Sequence, residues 1–238
     1  MTHATHPPRS RRAGPHSRAT TAGALPARAR TQRWIEFVAF FVAIPLAIAL
    51  FLPPRMLFPA LLVFSVAGLA LIWLTGEFDW RELVRGWTRI DWLRIAAFGL
   101  FVGAAGFLVM AATRPGFVPN TSSERLRFLV LLWALYPLLS ALPQELIFRA
   151  LYFHRYAPLM GSERAARLVN AAIFSLAHLM YWSLVVAVMT FVGGWIFAKL
   201  YQEKGFPAAW VAHAIAGNML FSVGMGAYFW SGAVVRPF

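Results

Sequence analysis

Long uninterrupted apolar runs are the feature that most constrains what this 238-residue chain can fold into. A helix that crosses a bilayer needs about 20 mostly apolar residues, and several segments between short polar connections reach that length. Lipid offers the backbone no hydrogen-bond partners, so only helices and closed β-barrels can cross it. These runs are continuous, whereas the strands of a barrel alternate between apolar and polar residues. The sequence therefore predicts an all-α, polytopic integral membrane protein with a helical bundle.

Hydropathy and turn residues divide the chain into about seven membrane spans, with seven or eight as the expected range. The predicted spans are 34–52, 56–75, 95–113, 128–154, 165–181, 184–201 and 206–230. A polar stretch that contains tryptophans, 77–94, is typical of an amphipathic helix at the membrane surface. Three regions are therefore expected: a disordered, arginine-rich cytosolic tail at 1–32, N-terminal spans with the interfacial helix at 33–124, and a helical core at 125–231.

The formal net charge of +13 raises the question of a nucleic-acid partner. We exclude that partner, because only 13% of the residues are charged and no polar folded domain is left to hold a nucleic acid. The basic residues concentrate in the tail and in the connections at 77–94, 155–167 and 199–204, which lie on one side of a seven-span bundle; the loop at 114–127 is the exception. The positive-inside rule places that side and the N-terminus in the cytosol. We expect a bacterial inner (plasma) membrane, with the lipid bilayer as a partner.

Among the acids and histidines, Glu145, His178 and His213 lie deep inside predicted spans, whereas the others lie in the tail, in loops or at span ends. Charged groups in the middle of a bilayer are costly, and they mark functional sites by default. Each of the three lies roughly 13–17 Å from the cytosolic end of its span, at about 1.5 Å per residue. A single shared depth favours one common site. The alternative is three unrelated polar groups that join neighbouring helices.

Two further residues lie close enough in sequence to contribute. Arg149 follows Glu145 by four residues, so both lie on one helix face and can pair. Asn218 follows His213 by five residues and can hydrogen-bond either a substrate oxygen or a neighbouring helix. A carboxylate and two imidazoles around one water suit hydrolysis: the carboxylate takes the proton, and an imidazole orients the water or returns a proton to the leaving amine. A hydrogen-bond donor would stabilise the oxyanion.

Three segments of the chain resemble the motifs of the CPBP family, the CAAX-type or Abi membrane proteases. The first motif, Glu-Glu-x-x-x-Arg, is similar to Gln144, Glu145 and Arg149; the second, Phe-x-x-x-His, to Phe174 and His178; and the third, His-x-x-x-Asn, to His213 and Asn218. The resemblance covers about residues 125–225. It implies a catalytic core in this part of the chain and a glutamate-type intramembrane endopeptidase. Such an enzyme would cleave membrane-anchored proteins near their C-terminus, with a site that opens to the cytosol and no cofactor or metal ion.

The chain departs from the family pattern at two positions. Gln144 replaces the first glutamate, which the family is taken to use to activate water, and glutamine cannot accept a proton near neutral pH. Glu145 is then expected to be the base, directly or through a relayed water, with Gln144 as a hydrogen-bonding neighbour. Gly217 stands where the third motif has asparagine, so Asn218 is turned by about 140° rather than 40° from His213 on a regular helix.

Two alternatives to a protease stay open from the sequence. A catalytically inactive membrane scaffold or immunity protein on the same fold would explain Gln144. A haem carrier would use His178 and His213 as axial ligands. Thiolate metal sites and disulfides are excluded, since the chain contains no cysteine.

Overall fold

The computed structural model describes residues 26–76, 78–114, 116–117, 122–230 and 234. In this part of the chain, helices are the regular elements and no strand is present, which confirms the all-α prediction. The helices are α1 Ala27–Phe51, α2 Pro54–Leu74, α3 Trp92–Thr113, α4 Ser123–Met160, α5 Glu163–Ala177, α6 Leu184–Lys204, α7 Phe206–Ser222 and α8 Gly226–Phe229.

Five of the described helices, α1, α2, α3, α4 and α6, are long and apolar enough to cross a membrane. The chain is therefore an integral membrane protein with a polytopic helical bundle. The helices α5 and α7 have 15 and 17 residues, which is short of the roughly 20 that a full span requires. Both lie inside the bundle, where α5 packs on α6, and α7 packs on α3, α4 and α6. Seven spans therefore stays a prediction.

The first helix begins earlier than the sequence suggested. Residues 27–32, assigned to a disordered tail, form the first turns of α1; residues 1–25 of that tail lie outside the described residues. The residues that follow the extension contact α4: the guanidinium of Arg33 donates to the carbonyl of Arg155 at 3.4 Å, and Arg155 pairs with Glu36 at 2.7 Å. The prediction placed the start of this helix too late because residues 27–32 show no apolar periodicity.

The prediction of an amphipathic helix at 77–94 is wrong for the residues of that stretch that the structure describes. Two 3₁₀ turns, Trp80–Leu83 and Trp87–Arg89, replace it. Gly86 separates them with φ of +107°, a left-handed conformation that interrupts a helix and favours glycine. A Cβ atom at Gly86 would lie 2.5 Å from the carbonyl oxygen of Lys204 at the end of α6. The loop therefore approaches α6 closely, backbone to backbone.

Helix α4 is the longest element, with 38 residues, and it is not a uniform α-helix. Two segments, Pro137–Ala141 and Leu146–Tyr156, are wound as π-helix, with a short α-helical piece, Leu142–Glu145, between them. Stretches of π-helix are rare and frequently accompany functional sites, because the inserted residue redirects the side chains that follow. Glu145 lies at the junction with the second π segment.

Aromatic packing fixes one face of α4 against α1 and α2. The ring of Phe41 on α1 meets Phe148 and Tyr152 edge-on, with centroids 5.7 and 6.0 Å away. Phe40 of α1 stacks on Phe64 of α2 at 4.2 Å. Edge-to-face and offset aromatic pairs contribute beyond their buried area. With this face fixed, the adjacent face of α4 presents Glu145 toward α7.

Candidate active site

Glu145 is fully buried and lies between a histidine and an arginine. Its Oε1 is 2.8 Å from Nδ1 of His213 on α7, and its Oε2 is 3.3 Å from Nε of Arg149 one turn along α4. The contact with Arg149 is an ion pair without hydrogen-bond geometry, so Oε2 has no hydrogen-bond donor among the described residues. A buried carboxylate is tolerated only where opposite charge or donors compensate it. Arg149 on the same helix supplies the opposite charge, and the packing of α7 on α4 supplies the donor, His213.

The contact with Glu145 defines the protonation pattern of the His213 ring. An ionised carboxylate only accepts hydrogen bonds, so Nδ1 of the imidazole carries the hydrogen and donates it. In a neutral ring, Nε2 is then the basic atom. The hydroxyl of Tyr136 lies 3.3 Å from that nitrogen and is placed to donate to it. Glu145 thus orients His213, and it would stabilise the imidazolium that forms when Nε2 accepts a proton.

Two phenyl rings hold both the imidazole and the guanidinium in place. Phe197 of α6 stacks on His213 with centroids 4.8 Å apart and an angle of 13°, and Phe174 of α5 meets it edge-on at 5.6 Å. The guanidinium carbon of Arg149 lies 4.6 Å from the Phe174 centroid and 5.5 Å from the Phe197 centroid. Cation–π contacts of this kind are strongest where water is excluded. Phe197 was not singled out from the sequence, because its position belongs to no motif.

His178 immediately follows the last residue of α5 and flanks the pair without touching Glu145 by any hydrogen bond found in the described residues. Its Nδ1 lies 2.7 Å from the carbonyl of Phe174, which accepts, so its Nε2 is also the basic atom. Its ring packs against Phe174 at 4.7 Å. Phe174 therefore contacts both predicted site histidines and fixes their separation.

Gln144 is buried next to Glu145 but points to a different neighbour. Its side-chain Nε2 donates to the hydroxyl of Ser140 at 3.0 Å, one turn earlier on α4. Its Oε1 has no hydrogen-bond partner among the described side chains and backbone. The buried amide therefore keeps one acceptor atom without a partner, on the residue next to Glu145 in the sequence.

Asn218 does not join the Glu145–His213 pair. Its Nδ2 donates to the carbonyl of Trp133 at 3.3 Å. That carbonyl lacks its usual helical partner because Pro137, four residues on, has no N–H. The helix α7 is regular through this stretch, so the fifth residue after His213 faces away from it. The contact corresponds to the packing alternative that the sequence left open.

The position four residues after His213 is occupied instead by a side chain from α4. A Cβ atom at Gly217 would overlap the ring and the hydroxyl of Tyr136. The absence of a side chain at Gly217 is thus what admits Tyr136 to the site. Sequence reasoning missed this tyrosine. The only signal was the glycine at a motif position for asparagine, which leaves space for another residue to fill.

A metal site depends on how the side chains that could bind a metal ion are arranged in the part of the chain that the structure describes. There, no group of three or more His, Asp or Glu side chains has the arrangement that would hold a metal ion.

Comparison with known proteins finds one family model that is similar to the segment holding this site. The family model described as "Type II CAAX prenyl endopeptidase Rce1-like" matches residues 126–219. The matched segment runs from α4 into α7, contains all six predicted site residues, and confirms the resemblance drawn from the motifs. A search of curated proteins and a search of solved structures gave no significant match.

Proposed function

We propose that the chain is an intramembrane endopeptidase in which Glu145 and His213 act as one catalytic pair. The observation that carries the proposal is the 2.8 Å contact between two buried side chains, Glu145 and His213, within the segment that matches the Rce1-like model. At the level of the family, that model implies a CAAX protease-type endopeptidase. The expected substrates are membrane-anchored proteins that are cut near a cytosolic C-terminus, and no cofactor is expected.

In this proposal the base is Nε2 of His213 and Glu145 acts through it, in place of the direct role for Glu145 expected from the sequence; the 2.8 Å contact supports this arrangement. Arg149 compensates the charge of the carboxylate, while Nδ1–H of the imidazole is held by Oε1. Water bound at Nε2 would transfer one proton to that nitrogen as its oxygen forms a bond to the scissile carbonyl carbon. The carbonyl π electrons move to its oxygen, which becomes the oxyanion.

Collapse of this intermediate completes the reaction. The oxyanion re-forms the carbonyl, the C–N bond breaks, and the proton on Nε2 of His213 goes to the leaving amine. Glu145 stabilises the imidazolium while it exists. His178, whose Nε2 is also unprotonated, would orient the attacking water by accepting a hydrogen bond from its second O–H.

The test compares the C-termini of membrane proteins in cells that express the wild type or Glu145→Gln, by mass spectrometry. New C-termini are expected only with the wild type, since the glutamine keeps the volume of the side chain and removes its charge. Glu145→Gln also leaves the buried Arg149 without its counter-charge, so the comparison is repeated with His213→Gln, which keeps the Glu145–Arg149 pair. Each variant is compared with the wild type at equal levels of folded protein in the membrane fraction. New C-termini that persist in both variants, or that are absent with the wild type, would overturn the proposal.

Gln144 specifically favours a second candidate, a catalytically inactive member that serves as a scaffold or immunity protein. Its amide is already engaged with Ser140 and accepts no proton. The substitution Gln144→Glu restores the motif and separates the two candidates. An active wild type should tolerate it or gain activity. An inert wild type that gains cleavage on Gln144→Glu would be a pseudoprotease.

A further inference from the structure

The proposed reaction needs a hydrogen-bond donor for the oxyanion, and the expected donor is missing from its position. Gly217, at the motif position for asparagine, has no side chain, and the amide of Asn218 is used by the carbonyl of Trp133. An oxyanion without a donor in a site shielded from water is strongly disfavoured. Either the reaction proceeds without this stabilisation or another residue supplies it.

Tyr136 occupies the space that an asparagine at position 217 would need. Its ring and hydroxyl lie where a Cβ atom of Gly217 would be. The ring is held by Phe221 at 5.9 Å and by the imidazole of His213 at 6.2 Å. Its hydroxyl lies 3.3 Å from Nε2 of His213. The O–H group is therefore on the side of the imidazole where water and the substrate carbonyl must meet.

We propose that Tyr136 is a catalytic residue whose hydroxyl donates a hydrogen bond to the carbonyl oxygen of the scissile peptide. This inference rests on the proposed function. In the resting site the hydroxyl donates to Nε2 of His213; when water takes that place, the O–H rotates to the carbonyl oxygen, as a hydroxyl rotor allows. The phenol keeps its proton throughout and stabilises the negative charge that develops on the oxygen.

The first test is Tyr136→Phe, which removes only the O–H. With the peptide whose new C-terminus the wild type produces, kcat should fall about 100- to 1000-fold while KM changes little, because the bond forms mainly in the transition state. Tyr152→Phe is the matched control: Tyr152 also lies on α4, and its buried hydroxyl donates to the carbonyl of Ala166 on α5 at 2.8 Å. A kcat of Tyr136→Phe equal to or above that of the wild type would overturn the assignment.

The second test replaces the hydroxyl of Tyr136 on α4 with an asparagine amide at position 217 on α7. Gly217→Asn alone should lose activity, since its side chain collides with Tyr136. Tyr136→Ala opens the space, and Tyr136→Ala with Gly217→Asn places an amide four residues after His213, one helical turn away. The double variant should be at least about tenfold more active than Tyr136→Ala. A folded double variant without recovery would contradict the exchange of roles.

A measurement independent of cleavage separates this inference from the proposed function. The ¹⁵N chemical shift of Nε2 in labelled His213 should change in Tyr136→Phe and stay unchanged in Tyr152→Phe. A wild type that cleaves nothing would overturn the endopeptidase and the catalytic use of the hydroxyl. An unchanged Nε2 shift in Tyr136→Phe would overturn the Tyr136 contact alone, whatever the activity.

Discussion

Arg149 places its Nε 3.3 Å from Oε2 of Glu145, and both side chains have no exposed surface. The two charges compensate each other, because a single buried charge without a partner would be strongly destabilising. One guanidinium nitrogen, Nη2, also donates to the carbonyl of Gly194 on α6 at 3.4 Å, which ties the pair to a second helix. The pair is therefore part of the packing of the bundle as well as of the site.

Breaking this pair from one side should destabilise the fold. Glu145→Gln leaves a buried guanidinium without its counter-charge, and Arg149→Met leaves a buried carboxylate; each should cost about 3–5 kcal/mol of the free energy of unfolding. The double variant should lose less than the sum, because no uncompensated charge remains. Unfolding in detergent micelles measures all three.

The exposed pair Asp91–Arg94 is the control for that series, since Asp91→Asn removes a charge at the surface and should change stability little. Additive effects of Glu145→Gln and Arg149→Met would show that the two charges do not depend on each other.

Asn218 should contribute to stability rather than to the chemical step. Its amide joins α7 to the carbonyl of Trp133 that Pro137 leaves free. Asn218→Ala should lower the free energy of unfolding by about 1–2 kcal/mol, the effect of a lost buried hydrogen bond. The kcat of the folded variant should stay close to that of the wild type. A fall in kcat comparable to that of Tyr136→Phe, at unchanged stability, would return Asn218 to the catalytic site.

The contact between α1 and α4 can be tested by exchanging its charges. Arg155 donates to Glu36 from both Nε and Nη2, at 3.0 and 2.7 Å, and to the hydroxyl of Thr75 from Nη1. Glu36→Gln should destabilise the protein by about 1 kcal/mol, since this pair is partly exposed to solvent. Glu36→Arg with Arg155→Glu should be more stable than either single exchange. A double variant no better than the singles would show that the attraction between the charges is unimportant.

The sequence predicted the all-α fold well because hydropathy alone determines which elements can cross a membrane. It also selected Glu145, Arg149, His178 and His213, since ionisable residues in apolar helices are rare. The sequence did not predict the start of α1 or the two 3₁₀ turns at 80–89. Residues 27–32 show no apolar periodicity, and the close approach of Gly86 to the backbone of Lys204, far along the chain, is visible only in the folded protein.

The least predictable part of the site is its tyrosine. Tyr136 precedes Glu145 by nine residues, which on a regular helix would turn it to the opposite face. The π segment Pro137–Ala141 between them changes the register, and no local pattern in the sequence announces that change. Phe197 was not predicted for another reason. A phenylalanine in an apolar helix cannot be distinguished by sequence from other core residues, and only the structure shows that it stacks on His213.

Single introduced cysteines can test the predicted orientation of the bundle cleanly, because the chain contains no cysteine. Glu124 and Arg164 are exposed positions, one near the start of α4 and one shortly after its end. The positive-inside rule places the arginine-rich end, with Arg155 and Arg164, in the cytosol. An impermeant thiol reagent on intact cells should therefore label Glu124→Cys and leave Arg164→Cys unlabelled until the cells are permeabilised. Labelling of Arg164→Cys alone would reverse the orientation and expose the Arg155 end of α4 outside the cell, which contradicts a site that opens to cytosolic C-termini.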